Sequence, residues 1–300
     1  MQRRSLLACA VLIASTFVST GAAAAAATDP STGTVSPSPN APKRGVVAGA
    51  QNFTPNARNA KAVERFRELN RARVKRDDVH QFWGIEPAAG THDGFMATQS
   101  VDPSYQVSSE EDFTYTPTIK AAGSCMEVTT AYSQVMGNEI WAWDWCGSTG
   151  PAKQLQMDDS FMETYTTTVN EHQAYSVQLV QTDAATNEWG AYLYNQKTKA
   201  WELFYSQSGS DQSQLNYGWD LFEIYASTDP STGNAYYCSE AKSVVFESSS
   251  IQLRQNGAWR PAGPSDSPWQ PTAEPNPNDY LCPTLKFERA GENDHWIVHQ

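Results

Sequence analysis

The sequence predicts an all-β protein, a two-sheet antiparallel β-sandwich of jelly-roll-like type, and three observations predict it. From Phe82 onward, short runs alternate Thr, Val, Tyr, Trp and Phe with polar residues, which is the period of a half-buried strand. Clusters of Gly, Pro, Asn and Asp divide those runs, as tight turns between strands require. A convincing helical period occurs only once, before the runs begin.

Taken in order, the chain opens with Arg3 and Arg4, an apolar run from Leu6 to Val18, and small residues of A-x-A character. This pattern predicts a secretory signal peptide over residues 1–27, with Cys9 inside it. Residues 28–57 are rich in Ser, Thr, Pro, Asn and Gly and predict a disordered linker. Residues 58–80 place Ala60, Val63, Phe66 and Leu69 at helical spacing. They predict a short basic amphipathic helix, either an arm packed on the body or a removable pro-segment. Residues 81–300 then form one sandwich domain. Its strand candidates are "DFTYTPTI", "CMEVTTAY", "EIWAWDWC", "AYSVQLVQ", "EWGAYLYN", "AWELFYSQ", "WDLFEIYAS" and "SVVFESSSIQL". "QKTK" between the fifth and sixth suits a hairpin loop. After Ala262 the chain becomes a Pro-rich loop.

Charge divides the chain in two. Residues 43–76 carry about +8, and everything from Asp77 onward carries about −21. A body so acidic repels phosphates and argues against nucleic acid as a partner. No segment after the leader is apolar enough to span a bilayer, so an exported, soluble monomer is expected. Cys125, Cys146, Cys238 and Cys282 remain after the leader. An even count in an exported chain suggests two disulfides, with three connectivities open. Neither C-x-x-C nor a Cys/His cluster at zinc spacing occurs, so no metal is expected.

The stretch "SCMEVTTAYSQVMGNEIWAWDWC" concentrates the candidate chemistry. If Cys125 bonds Cys146 across a hairpin turning near "SQVMGN", Glu127 faces Asp144 directly, and Met126, Val128 and Tyr132 share the other face with Trp141, Trp143 and Trp145. Two acids so paired either repel until one carboxyl keeps its proton, or are exposed enough to tolerate each other. A third acid, Glu223 in "YGWDLFEIYAS", shares a strand face with Trp219, Leu221 and Tyr225. Either large aromatics desolvate it and favour its protonated form, or it lies on the solvent face of an edge strand. In the tail, Cys282 is expected to pin the Pro-rich loop back to Cys238.

The order of leader, basic segment and acidic sandwich with two separated glutamates resembles glutamic peptidases, especially neprosin-like prolyl endopeptidases. That family carries one glutamate in an E-x-G-W strand motif and another in G-E-V. "CMEVTTAY" is similar to the first, with Glu127 in the acid's place, and "DLFEIYA" to the second, with Glu223 in place. Between them "WGAYLYNQKTKAWELFYSQSG" is similar to the family's W…D-x-x-T-G-x-W-W segment. Thr129-Thr130 stand where the family has Gly-Trp, Leu221-Phe222 stand where it has glycine, and "YGWD" replaces G-Y-W-P. The resemblance covers residues 92–227.

It implies a secreted, acid-acting endopeptidase with Glu127 and Glu223 as catalytic acids, an extracellular polypeptide as substrate and no cofactor. Asp144 is then a supporting acid, and Trp143, Trp219 and Tyr225 contact substrate. The competing expectation is a lectin-like sandwich that binds or hydrolyses extracellular carbohydrate, with Trp141, Trp143 and Trp145 as a stacking platform. Other hydrolase chemistries lack their motifs: G-x-S-x-G, H-E-x-x-H and a glycine-rich phosphate loop are all absent.

Overall fold

The computed structural model describes residues 46–52, 79–110, 112–146, 151–209, 217–267 and 274–300. The signal peptide, most of the linker and nearly all of the basic helix read from the sequence lie outside them. Where those readings meet described residues, the chain is paired. Val46 bridges Leu203, and Val79 and His80 already belong to a strand.

In chain order the strands are β1 (Gln51–Asn52), β2 (Val79–Ile85), β3 (Gly94–Ser100), β4 (Phe113–Lys120), β5 (Met126–Ser133) and β6 (Gly137–Asp144). There follow β7 (Pro151–Gln156), β8 (Thr166–Val169), β9 (His172–Asp183), β10 (Glu188–Asn195), β11 (Ala200–Gln207) and β12 (Trp219–Ala226). The last four are β13 (Phe246–Gln255), β14 (Ala258–Pro261), β15 (Lys286–Glu288) and β16 (Trp296–His299). Among the described residues two short α-helices interrupt them, α1 (Asp159–Tyr165) and α2 (Tyr236–Glu240). One sheet runs β1-β7-β6-β5-β4-β12-β2, and the other runs β11-β10-β9-β3-β13-β16-β15 with β8 and β14 attached. The strand pairings within both sheets are antiparallel, so the fold is the all-β sandwich that the alternation predicts.

Local chemistry explains the elements. The β10–β11 turn closes because Asn195 Oδ1 accepts from the backbone N–H of Lys197 and Thr198, at 2.8 and 3.0 Å. Helix α1 starts where Asp158 accepts from Phe161 N at 2.9 Å, which satisfies one of the orphan donors of a helix end. Between the sheets, Val128, Ile140, Phe222 and Ile224 meet Phe95, Val177, Leu179 and Leu253 in one continuous core. The free edge at β2 is blocked: Tyr280 OH donates to Phe82 O at 2.7 Å and Arg289 Nη2 to Gly84 O at 3.3 Å, which prevents edge-to-edge pairing. Both disulfides form, Cys125–Cys146 and Cys238–Cys282, and the second pins the loop that carries Tyr280.

The β5–β6 hairpin corrects the expected register. Glu127 opposes Trp143, and Asp144 opposes Met126. The cause is the turn. Ser133 pairs with Gly137, leaving three loop residues rather than an even number, with Gly137 at φ +83° closing the loop. Directly opposed cysteines require the other parity, so Cys125 and Cys146 bond diagonally beyond the last ladder pair. This slip exchanges the faces. Trp141 and Trp143 join Glu127, while Asp144 turns to the side of Met126 and Val128.

Candidate active site

The seven-stranded sheet has a second buried face. Every residue of β4 and β5 is buried, because one face meets the other sheet and the opposite face floors an aromatic cleft. Phe113, Tyr115, Ala131 and Trp141 form a small separate cluster there, with Met136, Trp143 and Tyr225 packed against it. The cleft has a cavity volume of about 230 Å³, and its walls include Glu127, Glu223, Trp143, Trp145, Trp219 and Tyr225.

Alternation along β12 sends Trp219, Leu221, Glu223 and Tyr225 into the cleft, while Asp220, Phe222 and Ile224 turn to the core. On β5, Glu127 and Thr129 face the cleft. Strand β4 lies between β5 and β12, so the two glutamates are two strand spacings apart, roughly 10 Å laterally. An extra residue in β4 between Tyr115 and Thr118 shifts the register with both neighbours. The bulge leaves Tyr115 and Thr118 on the cleft side.

Glu127 is 7% exposed and accepts three hydrogen bonds. Trp219 Nε1 donates to Oε1 at 3.0 Å, Trp145 Nε1 donates to Oε2 at 2.9 Å, and Thr118 Oγ1 donates to Oε1. Burial, followed by the charge of Glu223, pushes this carboxyl up to about 7, against the pull of the three donors. The acid is therefore protonated under mildly acidic conditions. Glu223 is partly buried, and its Oε1 lies 2.7 Å from His80 Nε2. Glu127 and Glu223 are thus in electrostatic contact, the first deeply desolvated, and the buried Glu86 is a third carboxyl on the cleft wall.

The structure brings Glu127, Glu223, Trp143, Trp219 and Tyr225 into one cleft. It does not bring Asp144 there. That acid accepts from Tyr205 OH at 3.2 Å and Gln207 Nε2 at 2.9 Å on β11, tying the two sheets together. Tryptophans 141, 143 and 145 do not make a flat platform: Trp141 is fully buried, and the rings of Trp143 and Trp145 are inclined by 46°.

Sequence reading missed Thr118, Lys120, Trp145 and His80 as neighbours of the acids. Lys120 opposes Glu127 on one side and Trp219 on the other, with Nζ 5.0 Å from the Trp219 ring. With the hairpin parity corrected, alternation alone would have assigned Trp145 to the cleft. Among the described residues no group of three His, Cys, Asp or Glu side chains is placed to hold a metal ion.

No protein-family model matches the chain, and no curated protein matches it. Among solved structures it is similar to scytalido-glutamic peptidase with a transition-state analogue inhibitor, at 12% identity and TM-score 0.43, covering 74% of this chain and 98% of that one. It is also similar to SCP-B, a member of the eqolisin family of peptidases in a complex with the tripeptide Ala-Ile-His, at 12% identity and TM-score 0.39, with the same coverage. This is a distant resemblance to glutamic peptidases.

Proposed function

We propose that the cleft hydrolyses peptide bonds by acid–base catalysis between Glu127 and Glu223, in a secreted endopeptidase active on the acidic side of neutrality. The observation that carries the reading is the unequal pair itself. One glutamate is buried under two indole N–H donors with its carboxyl pushed up to about 7, and a second acid shares the same aromatic cleft. Pairs of acids in unlike environments divide the roles of proton donor and proton acceptor.

In this mechanism Glu127, in its acid form, hydrogen-bonds the scissile carbonyl oxygen and transfers its proton as charge develops there. The Glu223 carboxylate removes a proton from water, whose oxygen attacks the carbonyl carbon. The C–O bond forms and the carbonyl π pair moves to oxygen. Glu223 then returns its proton to the departing amine as the C–N bond breaks. The remaining hydroxyl proton passes back to Glu127, leaving a carboxylic acid and an amine. The aromatic walls exclude water from the carbonyl and grip apolar side chains on either side.

The two disulfides fit an oxidising compartment, and no described helix is long and apolar enough to cross a membrane. Of the basic segment expected over residues 58–80, Val79 and His80 belong to β2; the rest is read as a pro-segment opposed in charge to the body.

The test is cleavage of a denatured protein at about pH 4, where Glu127 holds its proton, compared in wild type, Glu127→Gln and Glu223→Gln. Both variants are expected to lose cleavage while keeping the wild-type circular dichroism spectrum. Normal cutting by both overturns the assignment. Retention on an insoluble polysaccharide, lost in Trp143→Ala without unfolding, would favour carbohydrate binding instead.

A further inference from the structure

His80 lies on the cleft wall at the rim of the sheet and has no part in the proton transfers above. It directly opposes Tyr225 in the β2–β12 ladder, while Glu223 opposes Phe82. The contact from His80 Nε2 to Glu223 Oε1, at 2.7 Å, is therefore a diagonal cross-strand pair. A carboxylate only accepts hydrogen bonds, so with Glu223 ionised the imidazole Nε2–H is the donor whatever the ring's charge.

The ring is not free to turn. It stacks on Tyr225 with centroids 4.1 Å apart and planes inclined by 10°. Tyr225 meets Tyr115 edge-on at 5.5 Å, and Tyr115 packs on the fully buried Trp141 at 5.7 Å. A continuous series of rings therefore runs from the cleft floor to the imidazole and fixes its plane. Among the described residues Glu223 has no indole donors of the kind that hold Glu127, and its one charge-assisted contact comes from this ring.

We propose that His80 is the positioning residue of Glu223: braced on Tyr225, it holds Oε1 and so aims Oε2 at the attacking water. The inference rests on the reading of Glu223 as the base, and it identifies the device that orients that base. A misplaced catalytic group by about 1 Å can lower a rate about a hundredfold, so the expected signature is a loss in kcat with KM kept.

Two substitutions separate the hydrogen bond from the stack. His80→Phe keeps a ring on Tyr225 and removes the donor. His80→Gln keeps an N–H donor and removes the ring. Peptide hydrolysis is measured for both, beside Glu223→Gln, with thermal melts to confirm folding. His80 has a side chain 45% exposed, at the sheet rim, so neither variant removes core packing. His80→Phe is expected to lose about 10- to 100-fold in kcat with KM within about twofold, and His80→Gln to recover most of that loss. Full activity in His80→Phe overturns the inference, as does a loss that appears in KM or that Gln fails to rescue. If Glu223→Gln is inactive while His80→Phe cuts normally, only the role of His80 falls. If Glu223→Gln cuts normally, the proposed function falls with it.

Discussion

The two faces of the seven-stranded sheet each bury a carboxyl, and the two sites differ in what surrounds them. Glu127 faces the cleft; Asp220 on β12, next to the cleft residue Trp219, faces the core. Burial pushes both up to about 7. Both accept from indole donors: Trp145 and Trp219 for Glu127, and Trp296 at 2.7 Å for Asp220. Asp220 is sealed and fully buried, with Gln99 Nε2 donating at 3.0 Å beside the Trp296 indole. Glu127 opens on a cavity and senses a second acid. A raised carboxyl is therefore common to a structural network and to a candidate catalytic centre. Access and a partner acid distinguish them. Glu139, raised to about 7 by burial and held by Trp141 and Gln156, belongs with Asp220 on this criterion.

The contrast can be broken most directly by activity. Glu127→Gln is expected to lower kcat/KM about a thousandfold, in line with the usual contribution of general acid–base groups, whereas Asp220→Asn changes it less than about threefold. Equal losses in the two would erase the distinction. Stability should reverse the order. Asp220→Ala leaves the Gln99 amide and the Trp296 indole N–H unpaired in the core and is expected to lower the unfolding free energy by about 2 kcal/mol in urea titrations. Glu127→Gln, at the cleft, should remove less than about 1 kcal/mol.

A third measurement treats the two faces together. Glu127, Asp220 and Glu139 all have carboxyls raised by burial. The native state thus keeps protons that the unfolded chain has already released. Their contribution to stability is complete below the unfolded carboxyl range near pH 4, and it is lost as pH rises through about 7. The urea midpoint should therefore fall from about pH 4 to about pH 8, each group adding at most about 1.4 kcal/mol per pH unit. Asp220→Asn should flatten that slope. The smallest effect sharpens the cleft side alone. Trp145→Phe removes a donor that favours the ionised form of Glu127, so the alkaline limb of kcat/KM should move up by about half a pH unit.

Much of this was legible in the sequence, for reasons that particular elements show. β10 and β11 coincide with "EWGAYLYN" and "AWELFYSQ", because alternation and the Asn195 turn point the same way. β3, "GFMATQS", was missed because all seven residues are buried, with Thr98, Gln99 and Ser100 bonded inside the sandwich, so no alternation shows. α1 is about two turns with an Asp cap and lacks a long amphipathic period. At the site, Glu127 and Glu223 stood out by their aromatic strand neighbours. The partner expected for Glu127, Asp144, gives way to Trp143 because the Cys125–Cys146 disulfide is diagonal and not a ladder pair. His80 was hidden as the end of a basic helix, and its pairing with Tyr225 comes from a strand contact 145 residues away in the chain.

The three-residue turn Gln134–Met136 has a consequence for anyone who remakes this molecule. Adding or deleting one residue there would favour rotating all of β6 relative to β5, burying Trp141 and Trp143 between the sheets and expelling Ala142 and Asp144 into the cleft. Libraries that vary loop length at this hairpin should therefore tolerate changes of two residues far better than changes of one, whatever residues are inserted.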